Sequence, residues 1–280
     1  MPFFVVATPL GNLEDISPRV AQTLKDADVV FAEDTRHSRK LLDHVGSRAT
    51  CWALHDHNED EQGNTVSGLV RDGKVIALIS DAGTPCISDP GYRIVRRLRE
   101  EGARVTAIPG PSAVVTFLSA AGLPTDQFLF VGFPPRRTLQ RTEVLSHWIA
   151  GAATTVLYES PHRIQDVLDD VAAQAPDRLV CVARELTKMH EQWYWGTAAA
   201  VAAELRAQGP PRGEFVMGIS GAPVVARPDE VLVEVDRLLG ALAPTAARTK
   251  ELAQAISGLT GASSSVVYER LLALRNKQGS

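Results

Sequence analysis

The chain has 280 residues, of which 45% are hydrophobic and 22% charged, and it carries a formal net charge of −4. That length suits about two domains with real cores, and that charge argues against nucleic-acid binding through a broadly basic surface, since phosphate neutralisation leaves a basic footprint. No apolar run reaches the ~20 residues of a membrane helix, the opening MPFFVVATPLGNLED has neither a basic n-region nor a long h-region, and Cys51, Cys86 and Cys181 form no CxxC, so a cytoplasmic protein without a disulfide framework, zinc cluster or other metal is expected.

Strand-like runs fall at 3–7, 28–32, 74–79 and 104–108, separated by segments of helical period in which Val20, Leu24 and Ala27, then Ile94, Val95 and Leu98, share a face. Ser17, Asp89 and Ser160 each precede a proline, the pattern of an N-cap followed by a first-turn proline, and Gly102 and Gly122 are placed to stop two helices. A second series of strands follows at 128–133, 154–158, 178–183, 190–195 and 214–219, with helices near 139–150, 161–174 and 197–207. From Pro228 onward the strands cease, and Leu232, Val235, Leu238 and Leu239 form one apolar stripe. The expected fold is therefore α/β, with domains at 1–121 and 122–223 and a helical extension at 224–280.

The unusual residues gather after strands rather than before them. TPLGN, AEDTRHS, SDAGTPCISDPG, PGPSA, ESPHR and ARELTK all follow strands, and ligands of open α/β sheets bind beyond the carboxyl ends of strands. There is no GxxxxGK[ST], and the first strand does not run into GxGxxG, so the common nucleotide signatures are absent. Gly83, with the stiffening Pro85 and Pro90, makes either a tight structural turn or a cradle where a ligand lies on main-chain groups. Ser112 and Ala113 open a helix directly after Pro109-Gly110-Pro111 and can present free backbone N–H groups. Pro9, Leu10 and Gly11 can form the facing lip, although Gly11-Asn12 is also an ordinary turn.

Charge is unevenly spread. Arg93, Arg96, Arg97 and Arg99 lie on one helix, Arg136, Arg137 and Arg141 in one loop, and Arg270, Arg275 and Lys277 in the tail; each cluster reads first as a solvated face. Asp34, Arg36 and His37 stand directly after a strand, and His55, His57 and Asn58 sit in HDHNE, which reads as a polar loop that orders substrate. Glu159, His162 and Arg163, and Arg184, Glu185 and Lys188, bring opposite charges to two further strand ends, either as bridges across a domain seam or as catalytic groups.

Taken in order, TPLGNLEDIS, AEDTRHSRKLL, HDHNE, SDAGTPCISDPGY, PGPSA, GLPTDQFLFVGFPPR, YESPHRI, ARELTK and GEFVM resemble the tetrapyrrole methylase superfamily over residues ~3–220. Within it they are similar to the branch that methylates a cytidine ribose 2′-hydroxyl in the decoding region of 16S rRNA. The resemblance implies two α/β domains, S-adenosylmethionine in the cleft between them, and a homodimer acting on rRNA within the small ribosomal subunit. The cofactor contacts it implies are Asp81, Gly83, Thr84, Ile87, Ser112, Ala113 and Tyr158, with Thr84 standing where the superfamily carries an aspartate. It leaves methylation of a tetrapyrrole or of a protein side chain as the alternative on the same fold.

Methyl transfer to a hydroxyl is an in-line displacement that needs alignment and a proton acceptor. Glu185 and Asp34 are the acids at strand ends that could accept the proton, and Arg36, Arg184 and Lys188 are placed to hold adjacent phosphates. His37, His55, His57, Asn58, Arg136, Arg137, His162 and Arg163 complete the expected substrate surface.

Overall fold

The computed structural model describes residues 2–55, 57–223, 238–239, 248–260 and 263–278, in two compact units, Met1–Ala222 and Pro223–Ser280. The first unit is α/β and holds two five-stranded sheets. In the first sheet, β1 (Phe3–Val6), β2 (Val29–Ala32), β3 (Thr50–Ala53), β4 (Ile76–Leu78) and β5 (Val105–Ile108) run parallel in the order β3-β2-β4-β1-β5. Both faces of this sheet are covered. Val6, Val30 and Ala77 pack on Val20 and Leu24 of α1 (Pro18–Asp26) and Leu42 of α2 (Thr35–Val45), whereas Phe3, Phe31 and Ile76 pack on Val66 of α3 (Glu59–Arg71) and Ile94 and Leu98 of α4 (Tyr92–Glu100). Burial on two faces explains why these strands read as unbroken apolar runs. Strand β3 is the exception. TCWA lies at the sheet edge, half-buried, and has no such run, so hydrophobic patterning gives it no strand signal.

The second sheet has the order β6-β7-β10-β8-β9, built from β6 (Phe128–Phe130), β7 (Thr154–Glu159), β8 (Leu179–Arg184), β9 (Gln192–Thr197) and β10 (Phe215–Ile219). One face is covered by α6 (Thr138–Ala150), α7 (Ile164–Gln174) and α8 (Ala198–Ala207), through Leu145, Leu168 and Val201. Its other face receives Phe117 and Leu118 of α5 (Ala113–Ala120), together with Leu10 from the end of β1. The helix that leaves the first sheet thus packs on the second, and one apolar cluster spans both. Because β10 is antiparallel to its neighbours, Phe215 lies opposite Glu159 on one side and Arg184 on the other, so two strand ends and one strand start share an edge.

The helix signals resolve unevenly. Ser17 caps α1, its side chain accepting from the Val20 N–H at 3.2 Å, and Gly102 and Gly122 follow α4 and α5 with φ of 73° and 63°. Asp89 and Ser160, however, are not N-caps: α4 starts at Tyr92 after Gly91, and α7 at Ile164 after Arg163. At α4 the capping oxygen comes from elsewhere in the chain, since buried Glu59 accepts from the N–H groups of Gly91, Arg93 and Ile94 at 3.1, 2.7 and 3.4 Å. At α7 a turn over Ser160 precedes the helix, with the Arg163 and Ile164 N–H groups on the Ser160 carbonyl.

Arg141 departs from the solvated-face reading. It is buried in α6 and paired with Asp170 at 2.7 Å. In the second unit the helices Thr249–Thr260 and Ser264–Gln278 enclose Leu239, Ala253, Ile256, Val267 and Leu271. Of the expected stripe, Leu239 is buried, Leu238 partly so, and Leu232 and Val235 lie outside the described residues. Among the described residues no helix is long and apolar enough to cross a membrane.

Candidate active site

The carboxyl ends of β1, β4 and β5 meet in three loops that are bonded to one another. Thr8 and Gly83 exchange backbone hydrogen bonds at 2.8 and 3.1 Å, and the Thr8 hydroxyl donates to the Ser80 carbonyl. The Thr84 hydroxyl donates to the Pro111 carbonyl at 2.9 Å. Thr84 therefore ties the loop after β4 to the loop after β5. Gly83 has φ +84°, and a Cβ there would stand 3.1 Å from Leu10, so both conformation and space favour glycine. Further along, Cys86 and Ser88 hold φ of 69° and 66°. The other left-handed non-glycine residues among those described are Glu185 and Thr187, after β8. Such conformations cost on the order of 1–3 kcal/mol each and persist where surrounding structure enforces them. They cluster here on two loops that face each other.

Between the loops lies a cleft of about 370 Å3. From the first sheet it is lined by Leu10, Asp81, Gly83, Thr84, Ile87, Ser112 and Ala113, and from the second by Tyr158, which places eight of the ten expected cofactor contacts on one surface. Pro9 and Gly11 instead line a second cleft of about 480 Å3, with His37, Ser38, Lys40 and Lys188. The two clefts share Leu10, Asp81, Ala82 and Glu214. Phe133, Glu159, Leu186, Glu214 and Phe215 also line the first cleft, and none was singled out as a cofactor contact. Glu214 and Phe215 lie in GEFVM, which the pairing of β10 with β7 and β8 carries to the cleft, and Phe133 lies in FPPR, which follows β6 beside β7; Glu159 and Leu186 lie in ESPHR and ARELTK. Burial pushes the Tyr158 phenol up to about 12, with Asp89 adding to the effect and the Val114 N–H opposing it.

The candidate acids stand behind the walls. Asp34 is the N-cap of α2, its Oδ1 accepting from the Arg36 and His37 N–H groups at 2.8 and 3.3 Å; those bonds hold its carboxyl below the ordinary value. Its own N–H donates to Asp81 at 3.1 Å. Glu185 Oε1 accepts from Lys188 Nζ at 3.0 Å and the Glu214 N–H at 2.9 Å. Burial raises the Glu185 carboxyl, but the Glu214 N–H, Lys188 and Arg184 outweigh it and leave it below its ordinary value. For Lys188, burial lowers the ammonium, whereas Glu214 and Glu185 together bring it above its ordinary value. The Lys188 stem lies over Gly11, where a Cβ would come within 2.3 Å of it. This contact spans the two sheets.

The remaining expected residues are more scattered. Arg36, His55, His57 and His162 are exposed and line neither cleft. Asn58 closes its own turn, accepting from the His55 N–H at 2.9 Å and donating to the Ala53 carbonyl. Arg136 and Arg137 are exposed before α6, Arg163 donates to the Pro134 and Pro135 carbonyls, and Arg184 donates to the Arg212 carbonyl and Gln192. Burial raises all three thiols, Cys86 to about 11 and Cys181 to about 12, which disfavours the reactive thiolate.

Residues 2–202 match the family model of the tetrapyrrole (corrin/porphyrin) methylases. The chain belongs to the tetrapyrrole methylase family. S-adenosylmethionine is the methyl donor of such methylases, and a mainly apolar cleft with Asp81, Asp89, Glu159 and Glu214 on its walls suits a cationic donor with an apolar body. The family member is 43% identical to a protein of Mesorhizobium japonicum named ribosomal RNA small subunit methyltransferase I, over 99% of this chain and 93% of that one. A protein of the same name from Escherichia coli O157:H7 is 44% identical over 78% of this chain and 77% of its own. Solved structures share the fold at low identity. A uroporphyrin-III-C-methyltransferase from Thermus thermophilus superposes with a TM-score of 0.56 at 18% identity, covering 78% of this chain and 94% of its own. A diphthine synthase does so with 0.60 at 16%, covering 79% and 89%.

Proposed function

We propose that this methylase transfers the methyl group of S-adenosylmethionine to the ribose 2′-hydroxyl of a cytidine in the decoding region of 16S rRNA, acting as a homodimer on the small ribosomal subunit. The observation that carries the reading is near-full-length identity to a protein named for small-subunit rRNA methylation, 43% over 277 residues. The arrangement of the clefts supports it. The first would hold the donor through the Gly83 and Ser112–Ala113 backbone, and the second, with His37, Lys40 and Lys188 on its walls, would receive the nucleotide across the shared wall of Leu10, Asp81, Ala82 and Glu214.

When bound, S-adenosylmethionine supplies an activated methyl group on a sulfonium. The protein then has to align the hydroxyl and accept its proton. Glu185 and Asp34 are the candidate acceptors, yet both carboxyls lie below their ordinary values and are weak bases at neutral pH. In this reading alignment does most of the work. Glu185 holds Lys188 over Gly11, and Asp34 fixes the start of α2 from which His37 and Lys40 reach the second cleft. Arg36, Arg184, Arg136 and Arg137 supply local positive charge to a chain whose net charge is −4.

Incubation of the protein with labelled methyl donor and, in parallel, 30S subunits, free 16S rRNA and a tetrapyrrole precursor tests the proposal. Label in a cytidine 2′-O-methyl of the rRNA is the expected result. Label in the tetrapyrrole alone would overturn it.

A further inference from the structure

The segment 132–137 joins β6 to α6 and closes one side of the first cleft. Gly132 accepts the Tyr158 N–H at 2.9 Å. Phe133 lines the cleft with its ring edge-on to Tyr158, centroids 5.8 Å apart, and is still 56% exposed. A large ring at a cleft mouth, half in water, has apolar surface left to bury. The next two residues are held from behind. Arg163 Nη2 donates to the Pro134 and Pro135 carbonyls at 2.7 and 3.1 Å and pairs with Glu159 at 3.0 Å. Glu159 is fully buried, lines the same cleft, and accepts the Ser160 N–H at 2.7 Å. Beyond the prolines, Arg136 and Arg137 are exposed, and one turn later Arg141 is locked to Asp170. The segment is thus fixed at both ends, with the aromatic facing the cleft and the basic pair facing solvent.

We propose that Phe133 is the cover of the donor cleft and that Arg163 is the positioning residue that sets it, placing Arg136 and Arg137 on the RNA side by the same bonds. One guanidinium thereby couples the grip on the methyl donor to the grip on the substrate. The RNA half of this inference rests on the function proposed above; the cover does not. All three contacts come from Nη2, the outermost nitrogen of the guanidinium, and a lysine ammonium ends one bond short of it, so lysine keeps the charge beside Glu159 but loses the reach to both carbonyls. Truncation at Arg163 would leave a buried carboxylate unpaired and threaten folding, which makes Arg163→Lys the informative variant.

The test is calorimetry with S-adenosylhomocysteine, together with rRNA methylation kinetics, on the wild type, Phe133→Ala, Arg163→Lys and the double variant. Each single substitution should weaken nucleoside binding by about tenfold, the scale of one lost aromatic contact with its buried area. The double variant should bind no worse than the weaker single, because both act through one contact. Arg163→Lys should also raise the KM for rRNA at saturating methyl donor, whereas Phe133→Ala should not. Independent, additive losses would overturn the shared cover, as would wild-type affinity in both single variants. An unchanged rRNA KM in Arg163→Lys would refute the coupling. If the wild type bound nucleoside but methylated no rRNA, the proposed function and the RNA half would fall, and calorimetry would still decide the cover.

Discussion

Glu59 offers the sharpest separation of sequence appearance from structural role. It sits in HDHNE, a stretch that looks chemical, yet its buried carboxylate caps α4 through the N–H groups of Gly91, Arg93 and Ile94. Those residues end the loop that begins at Asp81 and lines the first cleft. Replacing Glu59 with alanine removes all three acceptor contacts, of which two, at 3.1 and 2.7 Å, are of full strength. Hydrogen bonds to a charged group contribute about 1.5–3 kcal/mol each, and water can reach the partly exposed Arg93 N–H, so a loss of ~3 kcal/mol is expected. For a unit of this size each kcal/mol moves Tm by about 2–4 °C, which places the fall at roughly 6–12 °C. Glu59→Gln retains one carbonyl oxygen and should lose about half as much. Thermal unfolding followed by circular dichroism measures the shift, and calorimetry should show weaker binding of the methyl donor as the loop loosens. A Glu59→Ala protein melting within about 2 °C of wild type would refute the capping argument.

Gly83→Val should weaken cofactor binding at least tenfold in a protein that still folds, since the side chain meets Leu10 at a φ of +84°; unchanged affinity by calorimetry would remove the donor from this cleft. Glu185→Gln should reduce stability at neutral pH, and the difference from wild type should shrink as pH falls. The sign follows from its lowered carboxyl, whose contribution is present above the ordinary 4.5 and is lost as pH drops through the lower folded value. Lys188, raised above 10.5, loses its contribution only as pH climbs through the raised value, so denaturation between pH 3 and 8 isolates the acid. Full single-turnover activity in both Glu185→Gln and Asp34→Asn would leave alignment alone to explain the chemistry, and a fall in turnover at constant folded fraction would restore a general base. Charge reversal at Arg136 and Arg137 should raise the KM for rRNA and flatten its salt dependence while cofactor affinity holds; if neither parameter moves, the pair is an ordinary solvated surface.

Much of the first cleft was legible in the chain because its information is local. A glycine that must take positive φ, prolines that stiffen a loop, and a helix opened directly after Pro111 are properties of a few adjacent residues, and they mark Gly83, Ser112 and Ala113 wherever the strands lie. The parallel strands of the first sheet were equally plain, since burial on both faces writes an unbroken apolar run; edge strand β3 has no such burial and left no such trace. What the chain could not disclose was pairing across distance. The Glu59 carboxylate serves a helix that begins more than thirty residues later, so Asp89 looked like the cap while an acid from another element did the capping. Arg163 reads as a substrate contact, and its bonds to two proline carbonyls are invisible in the spacing; Arg141 looked exposed and is locked to Asp170. Charged side chains are long, and their partners are fixed by packing rather than by spacing. The sequence alone therefore determined where the backbone of the cleft loops would be, and the tertiary structure decided which charges line a cleft and which hold the loops in place.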